Sequence, residues 1–414
     1  MKILIISAQF PYPPRSGFAT RVYQLSRQLA KRHEVTLLSY VWPHEREGVA
    51  ALSNELTVRT IERAGMSPRA KRAAQAGSLF SSQPYYCRYV HSRRMQEEIA
   101  RLCRGETFDA IQLESSLLCI FSLPRDARIV LDEHNVEYEV FRRMCETERS
   151  LPRRAFNRVE HARFRRFEHR WWRRVDGCIV TSEREVSAVR EHAPQTPLAV
   201  VPNAVDLDYF RPGPAEVEPF TVVFNGILTY RPNVDAALYM VEEVWPRVLR
   251  HCPHARLVLV GRNEGVDLRP LRRPGVVLIG EVPDIRDYLR PACAVAVPVH
   301  IGGGTRLKVV EAFAMGKAMV STSLGCEGLE AVDGEHLLIA DDADGFAARL
   351  LELFSDPALR AQLGRAGRSL VEREYSWNLA GERLDALYRR VVARDAGSGF
   401  EPQLLMSPAP APEH

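Results

Sequence analysis

The stretch best equipped for chemistry is 298–320, PVHIGGGTRLKVVEAFAMGKAMV. Gly302, Gly303 and Gly304 follow an apolar strand and precede a segment that reads as a helix starting near Thr305 or Arg306. A backbone without Cβ atoms lets N–H groups approach an anion, and a helix N-terminus adds partial positive charge. Arg306 and Lys308 fall in the predicted first turn, where the macrodipole disfavours cations. Two cations there imply an anion that offsets the cost, and a diphosphate fits. Glu311, further along, can accept both hydroxyls of a vicinal diol such as a ribose. Ala312, Met315 and Gly316 read as the packed face and C-cap. The plain alternative is a glycine-rich turn capping an ordinary helix, with Glu311 paired to Lys308 at i,i+3. The basic residues are nearly all Arg, the only lysines being Lys2, Lys31, Lys71, Lys308 and Lys317. A Lys at 308 therefore points to a compact point charge, although Lys317 shows no comparable role.

The elements that must hold these residues follow from length and pattern. At 414 residues, with 46% hydrophobic and 26% charged, the chain is that of a soluble protein with two domains. Short apolar strands at 2–7, 34–39, 110–113, 128–132 and 177–181 alternate with helical stretches such as 17–31. Continuous apolar strands joined through helices predict a parallel sheet covered on both faces, the doubly wound α/β class. The pattern restarts after FRPGPAEVEP (210–219), with strands at 221–225, 256–260, 276–279, 294–298 and 318–322. The expected domains are 1–209, a linker at 210–219, 220–375, a helix at 376–394 and a disordered tail at 395–414. Gly226, Gly261 and Gly280 end strands, where ligands lie in open α/β sheets.

Other features exclude more than they assign. Net charge is only +4, so no global field argues for nucleic acid. The eight cysteines are scattered without zinc spacing and read as free buried thiols in a reducing compartment. The apolar start is too short for a signal peptide and no run is long enough to span a membrane, so the expected location is the cytoplasm, with the inner face of the cytoplasmic membrane left open. A basic stretch, 149–174, carries Phe164, Phe167 and Trp171 at helical spacing. Either that face meets anionic lipid, or it packs on the sheet and the arginines are solvated.

Taken together, 10–39, TSEREVSAV (181–189), VVPNAVDLDYF (200–210), 224–248, ARLVLVGRN (255–263), GEVPDIRDYL (280–289) and GGGTRLKVVEAFAMGKAMVST (302–322) resemble the family 4 glycosyltransferases of the GT-B fold, over nearly the whole chain. That resemblance implies two Rossmann-like domains facing across a cleft, a last helix returning to the N-domain, and retaining transfer from a nucleotide diphosphate-sugar. The flavour is that of exopolysaccharide or lipid-linked glycan assembly. It also implies roles. Glu311 matches the ribose-binding second glutamate of E-x7-E, Gly17 the N-domain glycine loop, His134 in LDEHNVEY a histidine near the transferred sugar, and Val282 the segment meeting the nucleobase. Two departures stand out: the first glutamate of E-x7-E falls at Gly303, and the usual Arg and Lys after the first C-domain strand are missing. Arg306, Lys308 and Arg231 are the replacements expected for that charge.

The expected donor set is Gly17, Gly226, Arg231, Gly261, Val282, Gly302, Gly303, Gly304, Thr305 and Glu311, with His134, Arg306 and Lys308 at the reacting centre. His134 is weighed against a role as a satisfied strand-end histidine, with Glu133, Asn135 and Glu137 as nearby alternatives. No metal or other cofactor is expected. The acidic pairs Asp206/Asp208 and Asp342/Asp344 are the metal-binding alternative, weighed against polar surface turns. The partners expected are a nucleotide-sugar, a glycan or lipid-linked acceptor, and an anionic membrane surface at most peripherally. A nucleotide-sugar 2-epimerase and a non-catalytic sugar-nucleotide binder are the rival readings.

Overall fold

A computed structural model describes residues 1–393 apart from Ala64, Met66, Leu79, Phe80, Arg125, Arg149 and Gly303. The expectations of a disordered tail and of a donor amide at Gly303 lie outside these residues. The N-terminal sheet contains β1 (Lys2–Ser7), β2 (Glu34–Val41), β3 (Thr57–Glu62), β4 (Ala110–Leu113), β5 (Arg128–Glu133), β6 (Gly177–Val180) and β7 (Leu198–Val200). The C-terminal sheet contains β8 (Glu218–Asn225), β9 (Arg256–Val260), β10 (Val276–Ile279), β11 (Ala292–Val297), β12 (Met319–Ser321) and β13 (Leu338–Ile339). Their orders are β3-β2-β1-β4-β5-β6-β7 and β10-β9-β8-β11-β12-β13, parallel throughout.

Strand order reverses between β1 and β4 in the first sheet and between β8 and β11 in the second, and each reversal opens a crevice at the carboxyl ends. The strands are buried on both faces because alternate residues feed two cores. Ile3, Ile5 and Val130 pack beneath one layer of helices, while Leu4, Ile6 and Leu131 pack beneath the other. The expected strands are present, several with longer limbs. β8 begins at Glu218, inside the expected linker, since that residue registers with Ala292 of β11. β3, β7 and β13 were not expected; they are short or alternate in burial.

The last helix, Trp377–Val392, leaves the C-domain and docks on the N-domain, where Trp377, Leu384 and Tyr388 enter the core with Ile3 and Val22. Gly381 and Gly177 make the docking close: a Cβ on Gly381 would lie 2.6 Å from Gln28 Cβ, and one on Gly177 would lie 2.8 Å from Val391 Cγ2. The basic stretch is the helix Leu151–Trp172. Its aromatic stripe packs on protein, with Phe164 stacked on Phe141 and Phe167 and Trp171 against the second N-domain core. The stripe is therefore not available to a bilayer, and the packed alternative holds. Among the described residues no helix is long and apolar enough to cross a membrane.

Candidate active site

On the N-domain side the site is built by strand alternation. Gln112 and Glu114 share one face of β4 and its extension, and Asp132 and His134 share the same face at the end of β5. The register Leu113↔Leu131 sets Glu114 beside Asp132. Two adjacent carboxylates, each no more than 1% exposed as side chains, need partners. Arg21, from the helix Gly17–Ala30, grips Asp132 through Nε at 3.0 Å and Nη2 at 2.8 Å, and its Nη1 donates to the Val201 carbonyl. His134 Nε2 lies 2.8 Å from Glu114 Oε2 and its ring stacks on Phe18 at 4.5 Å. The neighbouring residue, Glu133, points to the opposite face. There Trp172 Nε1 donates to it at 2.8 Å, and burial pushes its carboxyl up to about 8. Glu168 caps from a distance: its two oxygens accept from the backbone amides of Glu137 and Tyr138, at the head of the helix Glu137–Thr147. Of the alternatives to His134, Glu133 is thus a buried group tied to Trp172, and Glu137 is pushed up to about 7 by burial.

On the C-domain side the key helix is Leu307–Ala314. It starts later than expected, so Arg306 is the N-cap residue and only Lys308 stands in the first turn. The physical reason is Arg306's extended backbone, with φ −90° and ψ 114°. Leu307 spans both domain cores and approaches within 3.7 Å of a Cβ built on Gly17, placing that glycine at the interdomain gap. Lys308 Nζ donates to Asn233 Oδ1 at 3.0 Å and lies 4.6 Å from the Phe224 ring centroid. No ion pair joins it to Glu311 among the described residues, so the i,i+3 alternative is not formed. Burial pushes the Lys308 ammonium down to about 7, helped by Arg306, and pushes Glu311 up to about 7 against the pull of Lys308. One Nη of Arg306 is buried without a partner among the described residues, and burial lowers the pKa of this guanidinium too.

Two glycines make room beneath these side chains. A Cβ on Gly226 would stand 2.9 Å from Lys308 Nζ. Gly261, at φ +149°, is so close that a Cβ would meet the Gly226 carbonyl oxygen at 2.1 Å. Val282 lies just past β10 against the C-domain core, and its neighbour Glu281 faces Arg15 across the gap at 3.6 Å.

The glycine turn departs from expectation. Gly302 and Gly304 are buried against the N-domain instead of opening to a ligand. A Cβ on Gly304, at φ +69°, would lie 2.9 Å from both the His134 carbonyl oxygen and Asn135 Oδ1. Arg143 donates to the Gly302 carbonyl and clasps Glu327 with both Nη atoms. Thr305 is likewise engaged, since its Oγ1 and carbonyl accept from the Asn203 amide and side chain at 3.3 and 2.8 Å. Arg231 turns to Glu148 at 3.0 Å and Asp235 at 3.6 Å, not to the centre. The space left at the turn is about 10 Å³. A larger cavity of about 580 Å³ opens to one side, between Ser182, Arg184, Leu329, Tyr375 and Arg383. Gly302, Gly304 and Thr305 thus pack across the gap between the domains.

Three members of the acidic pairs weighed for a metal carry local hydrogen bonds or an ion pair. Asp206 Oδ1 accepts from the Asp208 and Tyr209 amides, Asp342 caps the helix Ala343–Ser355, and Asp344 pairs with Arg247. The one His/Asp/Glu cluster with metal-like spacing among the described residues is Glu114, Asp132 and His134. Sequence reasoning missed Glu114, Asp132 and Arg21, which lie 111 residues apart at the widest pair and meet only through the sheet. It also missed Asn233 and the Arg143–Glu327 clasp. An i,i+2 reading of 112/114 and 132/134 was the available signal. Lys317 acquires a role: it donates to the Arg290 carbonyl at 2.9 Å.

Two facing Rossmann-like domains with a helix returning across the gap define the GT-B architecture. Sucrose-phosphate synthase from Thermosynechococcus elongatus superposes with a TM-score of 0.69 at 19% identity, over 95% of this chain and 100% of that one. The Anabaena protein HepE, solved with UDP, gives 0.68 at 13%, over 94% and 100%. The sequence matches the family model "Glycosyltransferase Family 4" at residues 15–209 and "Glycosyl transferases group 1" at 219–356. The chain belongs to the family 4 glycosyltransferases. A phosphatidyl-myo-inositol mannosyltransferase of Mycolicibacterium smegmatis is 28% identical over 218 residues, 49% of this chain and 54% of that protein. The chain thus spans about half the length of such curated relatives.

Proposed function

We propose that this protein is a hexosyltransferase that takes a sugar from a nucleoside diphosphate donor and passes it, with retention and without a metal, to a glycan or lipid-linked acceptor. One observation carries the reading: at the start of the helix Leu307–Ala314 stand two cations, Arg306 and Lys308, that have no carboxylate partner among the described residues. Departure of a nucleoside diphosphate builds negative charge on its phosphates. Arg306, Lys308 and the helix N-terminus are the groups to meet it, a preorganised arrangement of the kind that dominates many enzymes. Glu311, charge-deficient in the same pocket, is the candidate for the ribose diol. His134 faces the sugar from the other domain. The solved HepE complex with UDP and the name of the mannosyltransferase relative favour a nucleotide donor and a lipid-linked acceptor. Retention rests on the family resemblance.

Metal independence draws on the occupied donor set. Arg21 holds both oxygens of Asp132, while Gln112 and His134 hold those of Glu114, so a cation there has to displace existing bonds. Arg143–Glu327, Asn203–Thr305 and Arg231–Glu148 are the ties across the gap that would open if the domains part to admit a donor. Peripheral attraction to anionic lipid rests on the exposed arginines of the helix Leu151–Trp172, Arg154, Arg158, Arg165, Arg166 and Arg170, beside Leu151 at 76% exposure. Such a surface suits a cytoplasmic enzyme working at the inner face of the membrane.

A thermal-shift series with UDP, GDP, UDP-glucose and GDP-mannose tests donor binding, since ligands specific to the native state raise its melting point. Turnover is then followed with added EDTA. Stabilisation by one nucleotide and EDTA-insensitive transfer are expected, and activity restored by manganese would remove the metal-free step. A sugar altered without acceptor would mean an epimerase. Binding without turnover over a broad acceptor panel would mean a non-catalytic binder.

A further inference from the structure

We infer that Tyr388, on the C-terminal helix, is a positioning residue for His134, acting through Gln112 and Glu114. The inference rests on the reading of His134 as a group facing the transferred sugar.

Glu114 is fully buried, and among the described residues no Arg or Lys pairs with it, since Arg21 is spent on Asp132, Val201 and Asn203. Its partners among the described residues are an amide and an imidazole. Gln112 Nε2 donates to Oε1 at 2.5 Å, and His134 Nε2 lies 2.8 Å from Oε2. A carboxylate only accepts, so the second bond requires the proton on Nε2. That leaves Nδ1 as the nitrogen free to meet a ligand, since it has no partner among the described residues. Phe18 stacks on the ring and restrains its rotation.

This tautomer holds only while Glu114 stays in place, and Glu114 is held by the Gln112 amide. The carboxylate only accepts, so it faces the Gln112 NH₂, and the Tyr388 hydroxyl donates to the opposite end, Oε1, at 2.5 Å, which fixes the amide in place. Tyr388 and Gln112 are both 0% exposed. Burial also raises the phenol's pKa, which keeps it a donor. The side chain arrives on a helix that the chain makes only after leaving the C-domain. The tautomer of an N-domain histidine therefore depends on the helix that ties the two domains together.

Tyr388→Phe removes one hydroxyl and tests the relay in the full chain with two readouts. In ¹⁵N-histidine-labelled protein, long-range ¹H–¹⁵N correlations report each ring's tautomer, and the His134 signals are those lost in His134→Ala. The wild type is expected to show the Nε2–H form and Tyr388→Phe a mixture of forms. Gln112→Met, of similar length, should do the same. The second readout is UDP or GDP released from UDP-glucose or GDP-mannose, whichever the wild type turns over. There kcat should fall roughly 5–20-fold with donor KM unchanged, the loss of a buried hydrogen bond and the order it imposes. In a His134→Ala background, Tyr388→Phe should change kcat by less than about twofold. An unchanged tautomer in Tyr388→Phe, or equal losses in both backgrounds, would overturn the relay. If His134→Ala keeps wild-type kcat, the reading of His134 fails, while the tautomer measurement still decides the relay.

Discussion

The two halves of the crevice treat buried charge in opposite ways. On the N-domain side Asp132 is answered by a two-pronged Arg21, and Glu114 by Gln112 and His134. On the C-domain side Lys308 has one amide oxygen and a ring face, Arg306 keeps a buried Nη without a partner, and no side chain pairs with Glu311 among the described residues. Desolvation then moves both Lys308 and Glu311 towards neutrality, to about 7 each. Arg21, Gln112 and His134 answer the carboxylates at the N-domain edge of the crevice, whereas these groups are left short at the C-domain edge. On the proposed function, a donor's charge would meet that shortage.

The comparison can be broken by variants that separate function from stability. The largest effect is expected at Lys308→Ala, where kcat should drop about 10²–10³-fold, the usual cost of losing one preorganised charge, with the melting point unchanged or raised. A large fall in melting point would mean that Lys308 holds the fold, and the contrast would be lost. Asp132→Ala should do the reverse. Leaving Arg21 buried and unpaired costs about 3–5 kcal/mol, read as a lower denaturation midpoint, and a midpoint like the wild type's would show the pair to be dispensable.

A smaller effect concerns pH. Glu311 is raised from 4.5 to about 7, so between those values the folded state holds a proton that the unfolded chain lacks, and stability falls as pH rises. Lys308 is lowered from 10.5 to about 7, so between those values the unfolded chain holds the extra proton, and stability climbs with pH. The pair should thus produce a shallow minimum of stability near neutrality that Glu311→Gln or Lys308→Met flattens. Binding of UDP or GDP should tighten as pH falls from about 9 to about 7, by at most about tenfold per unit, and Lys308→Arg should remove that dependence. The smallest effect belongs to Arg231→Ala. Its tie to Glu148 is half-exposed, and such pairs contribute little. Donor KM should move by less than about threefold, and a larger shift would return Arg231 to the centre.

Much of the fold was legible. Apolar runs such as Lys2–Ser7 and Arg256–Val260 sit in parallel sheets because nothing else buries both faces of an unbroken strand. The glycine turn, Lys308 and Glu311 were legible too, being close in sequence. Less visible was where the helix starts. Arg306 has ordinary helix propensity, and its extended backbone, which makes it the N-cap, comes with the folded turn. Strand β3 was hidden because only Val58 of its residues is buried. The aromatic stripe Phe164, Phe167 and Trp171 had two readings, and packing against Phe141 and the sheet chose one.

The amino-acid order alone determined the fold class, the two-domain layout and the segment holding the cations, which rest on local periodicity and on groups a few residues apart. The returning helix was implied by the family resemblance. Tertiary structure decided which charges are satisfied. Arg21 and Asp132 are 111 residues apart, and Gln112 and Tyr388 are 276 apart. It also decided that the glycine turn is covered in the closed form, because Asn135 and Arg143 reach it from the other domain. Such partners are set by strand register and domain closure, which no spacing in the sequence encodes.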